Sequence, residues 1–212
     1  MQAVIFDLDG TLLDVREAFY VQFEELSRHY DGVAATREQI AAAAHGTTEA
    51  IVRALVQNTR ASFDEICALH QDLRLKAIDA HFTLYDGVAD LLKILKNMGI
   101  KVAAVTAGNQ LTVDCLQRGG IHEYFDTIID ARDVQCSKPD PEGVHLALSK
   151  LGVATNQAVM VGDTAADILV GKNAGLAKTV GVSHGFGRVE ALQAAGADHI
   201  IHNISSLLDV LE

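Results

Sequence analysis

Four stretches of the chain concentrate groups able to handle charge: Asp7-Leu8-Asp9-Gly10-Thr11, Thr106-Ala107-Gly108-Asn109, Ser137-Lys138-Pro139-Asp140-Pro141 and Gly162-Asp163-Thr164-Ala165-Ala166-Asp167. Carboxylates brought together raise one another's pKa and repel unless a cation neutralises them. Donors that are all oxygen argue for magnesium, which keeps several waters and takes one or two carboxylates beside a substrate phosphate. Asp7 and Asp163 match that demand. Lys138 and Thr106 would then hold the phosphate, and the backbone amides after Asp7 and Thr106, that of Ala107 among them, would add donors. A carboxylate is a competent nucleophile toward phosphorus, and no histidine or cysteine accompanies these stretches in a better arrangement. Asp7 is therefore the expected nucleophile. Asp9 follows on the same side of an extended chain, where it would protonate the leaving oxygen and then deprotonate water.

These groups converge only if the elements ahead of them are strands of one sheet. Short apolar runs precede them: Ala3 to Phe6, Ile100 to Val105, Thr127 to Ile129 and Ala158 to Val161, with further runs at Thr179 to Val182 and His199 to Ile201. Runs without polar alternation suit strands buried on both faces, and their alternation with helical patterns implies a parallel sheet. Val88, Leu91, Leu92, Leu95 and Met98 mark one helix before Gly99, and Val144, Ala147, Leu148 and Leu151 mark another before Gly152. The expected fold class is α/β, a doubly wound Rossmann-like parallel sheet. Its ligands belong beyond the carboxyl ends of the strands, where the four stretches lie.

The rhythm breaks between Val15 and Leu84, where no strand pattern is evident. Phe19, Phe23, Leu26 and Tyr30 recur at helical spacing, Ile51, Val52, Leu55 and Val56 form a second stripe, and Thr36 with Gln39 and Ser62 with Glu65 have capping-box spacing. The expected organisation is a core of residues 1–14 and 85–212 carrying an all-helical insertion, 15–84. Asp14 is expected to cap the first helix of that insertion.

At this point the residues resemble a known family. Asp7-Leu8-Asp9-Gly10-Thr11-Leu12-Leu13-Asp14, Thr106, Lys138 with Pro139, and Gly162-Asp163 with Asp167 look like the four motifs of the haloacid dehalogenase-like hydrolase superfamily, in its order. The helical insertion resembles the cap of the phosphoglycolate phosphatase and β-phosphoglucomutase branch, and the stretch from Gly181 to Leu208 resembles the end of phosphoglycolate phosphatase-like members. The resemblance implies a magnesium-dependent phosphatase in which Asp7 is nucleophile, Asp9 acid and base, and Thr106 and Lys138 phosphate ligands. Asp163 would ligate the metal with the help of the Asp9 backbone carbonyl, and Asp167 would orient a metal-bound water. Thr106-Ala107-Gly108 departs from relatives that carry Asn and then Lys there, and Asp86 stands where relatives often have Pro before Gly87.

Composition narrows the partners. Twenty-eight acidic against 17 basic residues leave a net charge of −11 with no basic cluster, which excludes a nucleic acid as the natural partner. Three cysteines at unrelated spacings match neither a zinc site nor a disulfide framework, so a reducing compartment, the cytoplasm, is expected. No membrane role is expected, nor an assembly beyond a monomer or homodimer. The expected substrate is a small phosphorylated metabolite. Gly46 and Thr47, with Arg53 on the following helical pattern, are the candidates for contacting its distal group.

Four other activities use similar parts. A sugar phosphomutase shares the core chemistry, and a pyrophosphatase shares the capped site. A phosphorelay receiver carries its acceptor after a middle strand and has no cap, and a dehalogenase has no leaving oxygen for Asp9 to protonate. Gly181-Val182-Ser183-His184-Gly185, followed by Asp198 and His202, matches a serine esterase pattern, but too little sheet follows Ser183 to carry the rest of a triad.

Overall fold

The computed structural model describes residues 1–44, 48–57 and 59–211. The chain divides into two compact units, Met1–Asp14 with Thr83–Glu212, and Val15–Phe82. The strands are β1 (Ala3–Phe6), β2 (Leu13–Asp14), β3 (Thr83–Leu84), β4 (Lys101–Val105), β5 (Thr127–Ile129), β6 (Ala158–Gly162), β7 (Lys178–Val182) and β8 (His199–Ile201). Helices α1 (Arg16–Asp31), α2 (Arg37–Ala43), α3 (Thr48–Leu55) and α4 (Phe63–His81) belong to the inserted unit. In the other unit, α5 (Val88–Asn97), α6 (Gln110–Arg118), α7 (Glu142–Leu151), α8 (Ala165–Asn173) and α9 (Val189–Ala194) alternate with strands.

Six strands form one parallel sheet in the order β5-β4-β1-β6-β7-β8. Successive residues of β1 point to opposite faces. On one face Ala3 and Ile5 join Val105, Met160, Val144 and Val170 in a core closed by α7 and α8. Their neighbours Val4, Phe6, Val102, Ala104, Val159 and Val161 are as deeply buried on the other. Burial on both faces is why these strands read as unbroken apolar runs. In α5, Val88, Leu91, Leu92 and Leu95 are buried as the spacing requires, whereas Met98 lies past the last helical residue and is 59% exposed.

Among its described residues, the regular elements of the inserted unit are all helices. Phe23, Leu26, Ile40, Ile51, Val52, Leu55, Val56 and Ile66 form its core, with Phe19 and Tyr30 packed against it. Each large side chain so buried contributes about 1.5–3 kcal/mol. Both capping boxes form, Thr36 with Gln39 on α2 and Ser62 with Glu65 on α4.

Two expectations are corrected. Leu13–Asp14 pairs antiparallel with Thr83–Leu84, so the division falls after Phe82 and not after Leu84. Strands this short have no periodicity for the sequence to show. Asp14 belongs to that ladder, and the residue capping α1 is Val15, with no side-chain cap bond. Among the described residues, no helix is long and apolar enough to cross a membrane.

Candidate active site

β1 is the central strand of the three that define the site, with β4 and β6 on its two sides, so the residues leaving all three share one edge. The ladder continues one residue past β1, where the Asp7 amide donates to the Val161 carbonyl at 2.9 Å. The chain then turns sharply: the Leu8 carbonyl accepts from the amides of Thr11, Leu12 and Leu13. Gly10 makes this possible with φ of +89°, and a side chain there would run into the Asp163 carboxylate.

Asp7 is buried, and its Oδ1 accepts from Lys138 Nζ at 2.5 Å while Thr11 Oγ1 lies 3.5 Å from its Oδ2. Lys138 Nζ also bonds Asp167 Oδ1 at 2.5 Å and the Val105 carbonyl at 3.2 Å, with a side chain only 10% exposed. Asp163 is fully buried and accepts from Thr11 Oγ1 at 3.1 Å and from the Phe186 amide at 2.7 Å. Asp167 divides its work between two oxygens. Oδ1 holds Lys138, and Oδ2 accepts from the Thr164 amide and hydroxyl in a capping box that opens α8.

Carboxylate oxygens of Asp7, Asp163 and Asp167 lie within 4.8 Å of one another. Burial lifts the Asp7 carboxyl well above its ordinary value; Lys138 opposes this, and Asp167 and Asp163 add to it. Burial, and then the charge of Asp167, pushes Asp163 up to about 6. Burial works against the charged form of Lys138, but Asp167 and Asp7 outweigh it and raise its pKa. One lysine thus faces three carboxylates. That excess of negative charge, in an all-oxygen donor set, fits a hard divalent cation. Asp167, expected to orient a metal-bound water, stands in this cluster with its carboxylate. The Asp9 carboxylate lies outside this cluster and accepts from Thr112 Oγ1 on α6 at 3.4 Å.

Thr106 is buried at the end of β4, and its Oγ1 accepts from the Gly108 amide at 2.9 Å, leaving the hydroxyl proton to donate. Thr106, exposed Ala107, Ser137 and Lys138 line one pocket. Arg53, on α3, is 69% exposed and ion-paired with Glu49. Gly46 and Thr47 lie outside the described residues. Sequence reasoning gave no role to Thr11, Thr112, Thr164 or the Phe186 amide. The spacing of Thr164 and Asp167 was a readable capping signal, whereas a backbone amide delivered from a distant loop leaves none.

The esterase pattern does not assemble. Ser183 Oγ lies 2.7 Å from His202 Nδ1, but the Asp198 carboxylate is engaged by Lys172 and by the amide and hydroxyl of Thr179.

A profile of the haloacid dehalogenase-like hydrolases matches residues 4–182, most of the chain. The chain belongs to this family. It is 34% identical to pyrophosphatase PpaX of Bacillus velezensis over 213 residues, covering 98% of this chain and 95% of that one. A Thermotoga maritima structure assigned as a β-phosphoglucomutase superposes with a TM-score of 0.85 at 26% identity, covering 100% of this chain and 98% of that chain. CbbY from Rhodobacter sphaeroides, solved in complex with phosphate, matches with a TM-score of 0.79 at 27% identity and coverage of 98% and 96%. The fold class and the family expected from the motifs are both correct, and the protein is a hydrolase.

Proposed function

We propose that the protein is a magnesium-dependent phosphohydrolase acting on a small substrate through an aspartyl-phosphate on Asp7, with pyrophosphate and phosphoglycolate the first substrates to examine. The observation that carries this reading is Asp7 at the end of β1, held by Lys138 at 2.5 Å and ringed by Asp163 and Asp167. Asp7, Asp163 and Asp167 would hold the cation, which when bound neutralises charge on the phosphoryl oxygens. Lys138, the Thr106 hydroxyl and the Ala107 amide bind and orient those oxygens. A carboxylate oxygen of Asp7 forms a bond to phosphorus as the bond to the leaving oxygen breaks, and Asp9 gives that oxygen a proton. Asp9 then takes a proton from water, whose oxygen attacks phosphorus and releases Asp7. The inserted helical unit serves as a cap that excludes bulk water and selects substrate size, with Gly46, Thr47 and Arg53 as its candidate contacts.

Pyrophosphate enters because the relative at 34% identity is named for it, while monoesters remain in view through the family's motifs. The three thiols Cys67, Cys115 and Cys136 suit a reducing compartment such as the cytoplasm. The test is steady-state phosphate release from pyrophosphate, phosphoglycolate, β-glucose 1-phosphate and a nucleoside monophosphate, with magnesium and with chelator. Release that needs magnesium and concentrates on one substrate is expected. Folded protein that releases phosphate from none of them refutes the hydrolase reading and favours a phosphomutase. Arg53→Ala is expected to reorder the substrates, and an unchanged ranking removes Arg53 from the cap's contacts.

A further inference from the structure

The segment Ser183-His184-Gly185-Phe186-Gly187, whose esterase pattern comes to nothing, lies instead across the catalytic turn. His184 Nε2 is 3.0 Å from the Thr11 carbonyl, which can only accept, so Nε2 carries the proton. The imidazole packs against Tyr85 with ring centroids 4.1 Å apart and the two planes tilted by 43°. Tyr85 donates its hydroxyl to the His184 carbonyl at 3.2 Å and its amide to the Leu12 carbonyl at 3.1 Å. Two consecutive carbonyls of the turn are therefore held by two residues that also hold each other. One to three residues further on, the segment meets Asp163 itself. A Cβ at Gly185 would collide with the Asp163 carboxylate and the Gly10 carbonyl, and one at Gly187 with the Asp163 carbonyl. This close approach delivers the Phe186 amide to Asp163 Oδ2.

We propose that His184 is a positioning residue of the hydrolysis: clamped by Tyr85, it fixes the Thr11 backbone and so the hydroxyl that bonds Asp163 and approaches Asp7. The inference rests on the function proposed above. Without the clamp, the turn from Leu8 to Leu13 loses its outer restraint and Thr11 no longer holds the carboxylates at one separation. Groups that orient primary ligands typically matter by about 10- to 100-fold in activity when removed, because small misplacements of reacting groups are costly.

The experiment compares wild type, His184→Ala, His184→Gln and Tyr85→Phe. Glutamine keeps an amide N–H at a reach close to that of Nε2. Hydrogen exchange of the metal-free proteins reads the clamp without substrate or cation. His184→Ala is expected to exchange faster across Leu8–Leu13 and to lose about 10- to 100-fold in kcat with KM nearly unchanged, and His184→Gln to recover most of both. Tyr85→Phe, which keeps the ring packed on the imidazole and loses only the hydroxyl, is expected to show a smaller change of the same kind. Unchanged exchange in His184→Ala, unchanged kcat, or a loss that glutamine does not recover each overturns the proposal. A wild type that hydrolyses nothing, yet shows the exchange difference, keeps the clamp and removes the hydrolase reading instead.

Discussion

Replacing Asp163 by asparagine is expected to make the metal-free protein more stable while abolishing its activity. The side chain is fully buried, and burial with the charge of Asp167 pushes its carboxyl from an ordinary 3.8 up to about 6. At about 1.36 kcal/mol per pH unit, ionised Asp163 costs the fold about 3 kcal/mol at pH 7.5. The sign follows from proton counting. Between 3.8 and about 6 the folded state binds the proton more tightly than the unfolded chain, so the cost is absent below that window and complete above it. At pH 5 it is about half as large. Asparagine keeps the volume and can accept from the Phe186 amide while donating to Thr11 Oγ1, and the weakened hydrogen bonds cost about 1 kcal/mol. The net gain is about 2 kcal/mol at pH 7.5, a rise of about 4–8 °C in the melting of a protein this size. Thermal and urea unfolding in chelator at pH 7.5 and pH 5 measure it. Magnesium should invert the ranking, since a cation at 100 times its dissociation constant stabilises wild type by about 2.7 kcal/mol. An asparagine variant less stable than wild type at pH 7.5 in chelator refutes the reasoning, as does an advantage that fails to shrink on acidification.

Asp7→Asn should fold and lose phosphate release by roughly 10⁴-fold or more, and retained turnover in a steady-state assay would remove the aspartyl-phosphate mechanism. Lys138→Ala leaves the carboxylates of Asp7 and Asp167 uncompensated. It is expected to cost about 3–5 kcal/mol of metal-free stability at pH 7.5 by urea unfolding and about 10²–10³-fold in kcat; an unchanged unfolding midpoint contradicts this account. Ser183→Ala should keep wild-type turnover, and the wild type should resist fluorophosphonates, because Asp198 is committed to Lys172 and Thr179. Covalent labelling of Ser183 would reopen the esterase reading.

The sequence showed most of the sheet because its strands are buried on both faces. Ala3–Phe6, Thr127–Ile129 and His199–Ile201 have the limits that their apolar runs imply. The four polar stretches were legible for a related reason: charge directly after a buried run has few places to go except a sheet edge. The antiparallel pair of Leu13–Asp14 with Thr83–Leu84 was invisible, since a two-residue strand has neither period nor length. Asp14 misled because an aspartate just ahead of a helical pattern reads as a cap, and the ladder claimed it first. The amide of Phe186 and the imidazole of His184 escaped for another reason. Their partners are Asp163 and the Thr11 carbonyl, far away in the chain, and pattern reading along one segment does not see such pairs.

The strand order also dictates when the anionic pocket can exist during synthesis. β1 is made first, yet its two neighbours are β4 and β6, so it waits for residues up to Gly162 before both its edges are covered. Pairings between segments so distant in sequence form late and slowly. Chain order favours the nascent protein in one respect: Lys138 leaves the ribosome before Asp163 and Asp167, so this lysine is already available to Asp7 when those two negative charges arrive. A chain interrupted between Lys138 and Asp163 would have Lys138 but neither Asp163 nor Asp167 to place beside Asp7.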